Sequence, residues 1–164
     1  MASDYLLELD GIKGESLDEK HKDKIEIDSF SWGVSNEGNM GRGGGGGTGK
    51  ANFQDLHFTK QTDKSSAKLV GAAASGEHIK KAILTARKAG GKAGQVDYLK
   101  ITLEDVMISS FQTGGNSGGN SSIPVDSFSL NYTKIKYEYM PQKADGSLEG
   151  AIMAQYDRAL NKVS

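Results

Sequence analysis

Three segments of this chain alternate apolar and polar residues with the period of a β-strand, then change phase midway. Leu99, Ile101 and Leu103 give way to Val106 and Ile108. Phe128, Leu130 and Tyr132 give way to Ile135, Tyr137 and Tyr139, and Ile25 and Ile27 give way to Phe30 and Trp32. Successive side chains of a strand point to opposite faces, so a phase change needs an inserted residue or a sharp bend. Two arrangements produce it. The strands can pass from one sheet to another at a barrel corner. Alternatively, both faces can be partly buried, one inside the subunit and one against a neighbour. The two can hold together.

The 164 residues predict one domain, 1–164, with a single core. A hydrophobic share of 36% and 22 glycines favour many short elements joined by loops over a helical bundle. Tyr5, Leu7 and Leu9 predict a first strand. Residues 67–75 are rich in Ala and Leu and predict one helix, capped by Asp63 or Ser65 and ended by Gly76. Residues 78–88 carry helical local propensity. In the C-terminal run 151–162, Ile152, Ala154, Tyr156 and Arg158 share a strand face, whereas Met153, Tyr156 and Leu160 make only a weak helical stripe. A terminal strand is the preferred reading. Glycine-rich connections span 36–50, 89–94 and 113–122, and the first and third predict long flexible loops.

Charges nearly cancel, with 20 basic and 21 acidic side chains. No global attraction to nucleic acid or to an anionic membrane follows, and little electrostatic resistance opposes self-association. There is no cysteine, hence no disulfide and no thiolate metal site. No run is long enough to cross a bilayer. The first residues, Met1-Ala2-Ser3-Asp4, lack a basic n-region and an apolar h-region. The expectation is synthesis in the cytoplasm and, if the protein leaves, exit without a cleaved signal peptide.

Enzyme motifs fail on context. Gly44 to Lys50 fits G-x-x-x-x-G-K, but Ala51 stands where a P-loop needs Ser or Thr, and no helix follows. Gly41-x-Gly43-x-x-Gly46 fits a dinucleotide fingerprint without a βαβ unit around it. Gly115-Asn116-Ser117-Gly118-Gly119 fits a nucleophile elbow, but loop and then strand follow rather than a helix. His21, His57 and His78 lie far apart without metal-binding spacing. The run Asp18 to Lys24 reads as a solvated mixed-charge loop. No catalytic residue, cofactor or metal is expected.

Asp10-Gly11-Ile12-Lys13-Gly14-Glu15-Ser16, Phe30-Ser31-Trp32-Gly33 and Arg87-Lys88-Ala89-Gly90-Gly91 occur in an informative order. Phe58-Thr59-Lys60, Asp63-Lys64-Ser65, His78 and the turn Tyr139 to Gly146 join them. Together, over nearly the whole chain, they resemble the Hcp (haemolysin-coregulated protein) family, the tube subunit of bacterial type VI secretion. The tail after Gly150 is the least typical part. The resemblance implies a mainly β fold: a small β-barrel of two antiparallel sheets with one side helix, and with residues 78–88 as strand. It also implies a homohexameric ring. Rings would stack into a hollow tube that carries a spike, is propelled by a contractile sheath and chaperones small effector proteins in its lumen.

Residue roles follow as expectations. Phe30 and Trp32 anchor the core, which turns Ser31 to the other face. If that face lines the pore, Ser31 stands on a small, polar, cargo-facing wall. The glycine arm, with Met40 and Arg42 as its large side chains and Gly43, Gly44, Gly45, Gly46 and Gly47 at its centre, is expected to reach the next ring. Two other classes compete: a monomeric β-barrel binding module for protein or carbohydrate, and a small hydrolase using Ser117.

Overall fold

The computed structural model describes residues 4–38, 48–91, 94–118 and 123–164. In chain order these form β1 (Asp4–Leu9), β2 (Ile25–Ile27), β3 (Ser29–Ser31), β4 (Val34–Gly38), β5 (Thr48–Phe53), β6 (Leu56–Gln61), α1 (Ser66–Ser75), β7 (His78–Ala89), β8 (Gln95–Gly114), β9 (Val125–Tyr139), β10 (Ile152–Asp157) and β11 (Lys162–Val163). The fold is mainly β, with one nine-stranded sheet, one two-stranded sheet and a short helix. The stretch 78–88 is strand, despite its helical local propensity.

The large sheet closes on itself. Antiparallel pairs run β2–β1, β1–β7, β7–β8, β8–β9, β9–β6 and β6–β3. Only Asp28 separates β2 from β3, so these two act as one bent strand and complete a six-stranded barrel. The Asp28 N–H donates to the Thr59 carbonyl and pins the bend. β10 and β11 extend the sheet from the second half of β9, as a wing off the barrel.

A corner explains the change of phase. β7 buries Ile79 and then Ala82, with Lys80 and Lys81 exposed between them. β8 buries Leu103 and then Val106 around exposed Glu104 and Asp105, and β9 buries Tyr132 and then Ile135. These sites are aligned across the sheet: Lys81 faces Glu104, and Glu104 faces Lys134. Asp105 has φ 58°, a left-handed conformation costly for a residue with a Cβ. Register is the same on both sides of it, so three strands bend together with no inserted residue. An insertion does occur further along β8, between Ile108 and Ser110.

The barrel interior is one apolar cluster that includes Leu7, Ile25, Leu84, Ile101, Leu103 and Leu130. Four phenylalanines lie in register across it: Phe30 opposite Phe58, Phe58 opposite Phe128, and Phe128 opposite Phe111. The helix packs Leu69 and Ala72 onto this core and ends at Gly76, which has φ 67° and donates to the Ala72 carbonyl. Ser65 occupies the N-cap position without a side-chain cap bond; the Asp63 carboxylate accepts from the Ser65 N–H at 2.9 Å instead.

A buried polar knot ties the helix start to the barrel. Lys60 is fully buried, and its ammonium lies 2.9 Å from Asp126, Asp63 and the Ser66 hydroxyl. Asp126, also fully buried, accepts further bonds from Thr62, Thr113 and Ser66. Burial raises the Asp126 pKa, but donation from Ser66, Lys60, Thr113 and Thr62 outweighs it and holds the carboxyl at about 2.

Three expectations need correction. Asn36–Gly38 and Thr48–Lys50 lie in β4 and β5, and Thr113–Gly114 closes β8, so the expected loops 36–50 and 113–122 begin inside strands. Backbone pairing with a neighbouring strand overrides glycine's loop preference at these edges. The expected terminal strand is present as β10, and only its extent changes: it stops at Asp157, turns through Asn161 (φ 51°) and returns as β11. The loop before β2 is not simply solvated. His21 is buried there, with its Nε2 3.1 Å from Asp97 and its Nδ1 accepting from Lys24 at 2.8 Å. Arg87 binds Asp18 at 2.8 Å, which lowers the Asp18 pKa.

Candidate functional site

The outer face of the β3–β6–β9–β8 half of the barrel is built mainly from serine and threonine side chains, joined by His57 and Gln112. Alternation puts Phe30 toward the core and Ser29 and Ser31 outward. Register extends this across four strands: Ser31 opposite His57, His57 opposite Ser129, and Ser129 opposite Ser110. The next row is Ser29, Thr59, Ser127 and Gln112. The phenylalanine row backs these two rows of polar groups on the core side. The result is a shallow concavity of about 710 Å³.

The β8 insertion contributes to this face. It brings Ser109 and Ser110 together so that both hydroxyls reach Ser129. Ser109 also donates to Asp55 at 2.6 Å. The wall is thus cross-linked by its own hydroxyls, while Ser31 remains exposed. Such a surface offers many weak donors and acceptors, with the Asp55 carboxylate engaged by Ser109 and Asn131, which suits non-covalent contact with varied polar partners.

Phe30 and Trp32 are half-buried and pack against the core from its margin. Phe30 meets Tyr5 edge-on at 5.1 Å. Trp32 lies beside Tyr137 and Phe53, each at 6.2 Å, and donates to the Tyr132 hydroxyl at 2.7 Å. Tyr132 in turn donates to the Gln54 carbonyl at 2.8 Å, and burial raises its pKa. This chain of bonds fixes the point where the β4–β5 hairpin leaves the barrel, since Val34 pairs with Phe53 at the hairpin base. Tyr132→Phe removes both bonds and strands the indole N–H. It is expected to cost about 1–3 kcal/mol, read by chemical denaturation with Trp32 fluorescence as reporter.

Met40, Arg42 and Gly43–Gly47 lie outside the described residues. Lys50 of the P-loop-like run sits in β5, so strand rather than helix follows the glycines. Ser117 is exposed in a turn after β8. Among the described residues no group of histidine and acidic side chains has the arrangement to hold a metal ion. No helix of the described residues is long and apolar enough to cross a membrane. The hydroxyl rows were missed in the sequence because their residues come from four separate segments, and only strand register aligns them.

The chain matches the family model described as type VI secretion system effector, Hcp, over residues 6–139. It is 48% identical over 150 residues to protein hcp1 of Pseudomonas aeruginosa, a match covering 92% of this chain and 91% of that protein. The structure of a type six secretion system protein superposes with a TM-score of 0.92 at 34% identity, covering 99% of this chain and all of the other. Hcp1 from Salmonella typhimurium gives a TM-score of 0.80 at 35% identity, with both chains fully covered. The motifs, the barrel and these similarities agree: the chain belongs to the Hcp family of type VI secretion tube proteins.

Proposed function

We propose that this chain works by assembly, as the repeating unit of a homohexameric ring whose copies stack into a hollow tube. The hydroxyl face around Ser31 is its inner wall. The observation that carries this reading is the pair of polar rows across β3, β6, β9 and β8, an outward surface rich in hydroxyls in a chain of the Hcp family. A lumen that must hold and release small effector proteins gains from many weak contacts and no strong one. In this reading the spike and the sheath are further partners, and the protein leaves the cell through the type VI apparatus.

The wing supports self-association. Tyr137, Tyr139, Ile152 and Met153 are exposed on β9 and β10, and Leu160 and Val163 beyond them are each 71% exposed. Tyr137, Tyr139 and Ile152 share one face of the wing and Met153 lies on the other, and exposed apolar side chains clustered in this way mark a contact site. Neighbour contacts would also add to the stability of each subunit.

Two variants separate the parts of the proposal. Ser31→Trp fills the hydroxyl face while leaving the phenylalanine row intact. It is expected to keep ring mass and folding stability and to abolish co-purification of a small effector protein. Unchanged effector retention contradicts the inner-wall assignment. Deleting Gly43–Gly47 is expected to leave the ring intact and to prevent growth of long tubes in electron micrographs; normal tubes contradict the role of the arm.

A further inference from the structure

The chain from Lys13 to Lys24 folds back on itself between β1 and β2. The Gly14 and Ser16 N–H groups donate to the Asp23 and Lys24 carbonyls, and the Asp23 N–H donates back to Ser16. These bonds close within the loop. Its side chains tie it to three strands of the barrel. Asp18 binds Arg87 of β7 at 2.8 Å, His21 reaches Asp97 of β8 at 3.1 Å, and Lys24 lies 3.6 Å from Glu8 of β1. Leu7 and Leu9 point into the core, so Leu6 between them faces outward. It is buried all the same, beside a cleft that it shares with Ser16, Asp18 and Arg87.

The neighbours of the buried His21 ring fix its tautomer. The Lys24 ammonium donates to Nδ1 at 2.8 Å, so Nδ1 carries a lone pair. The ring proton therefore sits on Nε2, where the two Asp97 oxygens accept it at 3.1 and 3.2 Å. In this arrangement the ring is neutral. A second proton can enter only at Nδ1, where it meets the Lys24 N–H head-on. The other charges around the ring are fixed by their own partners. Asp18 accepts from the His21 N–H at 3.1 Å and is held by Arg87, which also lies 3.5 Å from Asp4, and Glu8 stands behind Lys24. We propose that His21 is a proton-operated latch: the neutral ring holds the 13–24 loop against β1 and β8, and the protonated ring expels Lys24, frees the loop and uncovers Leu6. Little water separates two cations in a buried site, so their repulsion is weakly screened. The closed loop binds one proton fewer than the open one, so falling pH favours opening. Histidine is the side chain that changes charge between about pH 5 and pH 8. The bond to Arg87 lowers the Asp18 pKa, so that tie stays ionised while the latch works. The device lies within one subunit and does not rest on the assembly reading. Opening is confined to the loop, so local exchange reads it and global denaturation does not.

The test is amide hydrogen exchange on the intact protein at about pH 7.5 and about pH 5.5, on either side of the ordinary histidine titration, corrected for the intrinsic pH dependence of exchange. The Gly14, Ser16 and Asp23 amides should lose protection by up to about tenfold per pH unit below that titration, while amides paired between β8 and β9 keep theirs. His21→Gln takes up no proton, and its amide can accept from Lys24 and donate to Asp97. It should hold the loop closed at both values. Lys24→Met keeps the imidazole and removes the competing cation, so the protonated ring faces Asp97 alone and the loop should again stay closed in acid. If the glutamine fails to close the loop near neutrality, Lys24→Met carries the test. Unchanged protection of the unaltered protein in acid overturns the proposal. Loss of protection that persists in Lys24→Met overturns it too, since the opening then belongs to another group. So does an NMR titration in which His21 takes up its proton while the loop amides stay protected.

Discussion

Asp126→Ala is expected to destabilise the folded chain by about 3–5 kcal/mol, because it leaves the fully buried ammonium of Lys60 without its buried counter-charge. Asp63 remains 2.9 Å from that ammonium and softens the loss without cancelling it. Three hydroxyls, of Thr62, Thr113 and Ser66, lose an acceptor at the same time. The double variant Lys60→Met, Asp126→Leu is expected to recover part of the stability, since apolar residues of similar size replace a buried pair at lower cost than a broken one. Urea denaturation measures both, and a change of about 0.5 kcal/mol or less for Asp126→Ala would contradict the role of the knot.

The same knot sets the response to acid. The Asp126 carboxyl lies at about 2 in the folded chain, against an ordinary value of 3.8. A depressed carboxyl stabilises the fold fully above the unfolded value and loses that contribution as pH falls through the folded one. Asp18, lowered by its bond to Arg87, acts in the same direction. Stability should therefore be level near neutrality and fall from about pH 4 towards pH 2. Asp126→Asn should remove much of that slope.

Gly146→Ala is the second substitution with a large expected effect. Gly146 has φ 92°, and a Cβ added there would overlap the Gly90 carbonyl and crowd the Gly91 nitrogen. Both obstacles are backbone, so no side chain can swing aside. Gln142 reinforces the approach by donating to the Ala89 carbonyl at 3.0 Å and to the Gly146 carbonyl at 2.9 Å. Unfavourable backbone conformation and overpacking together predict a loss of about 2–6 kcal/mol. Gly150 has open space around the position of a Cβ, so Gly150→Ala serves as the control and should stay within about 0.5 kcal/mol of the unaltered protein. Equal stability of the two variants would contradict the contact.

This contact also shows what the sequence made legible. Arg87 to Gly91 and Tyr139 to Gly146 were recognisable as family motifs, but not as two turns pressed together. Their approach depends on the pairing of β8 with β7 and β9. The barrel corner was legible for a related reason: a phase change in the apolar set needs only the period of a strand to be read. The loop limits were not legible, because glycine weakens a strand without forbidding it, and pairing partners decide the outcome at Asn36–Gly38 and Thr113–Gly114. His21 and Lys60 were hidden in polar stretches. Nothing local signals burial of a polar side chain whose partner, Asp97 or Asp126, is far away in sequence. Likewise, Ser31 was legible as the residue opposite Phe30 and Trp32, whereas its neighbours His57, Ser110 and Ser127 joined it only through register.

The central claim is that the subunit acts through assembly. Light scattering coupled to size-exclusion chromatography, run across a range of protein concentrations, tests it most directly. The account predicts a mass of six subunits that persists on dilution, with larger stacks at high concentration. A single 17.5 kDa species at every concentration would contradict it.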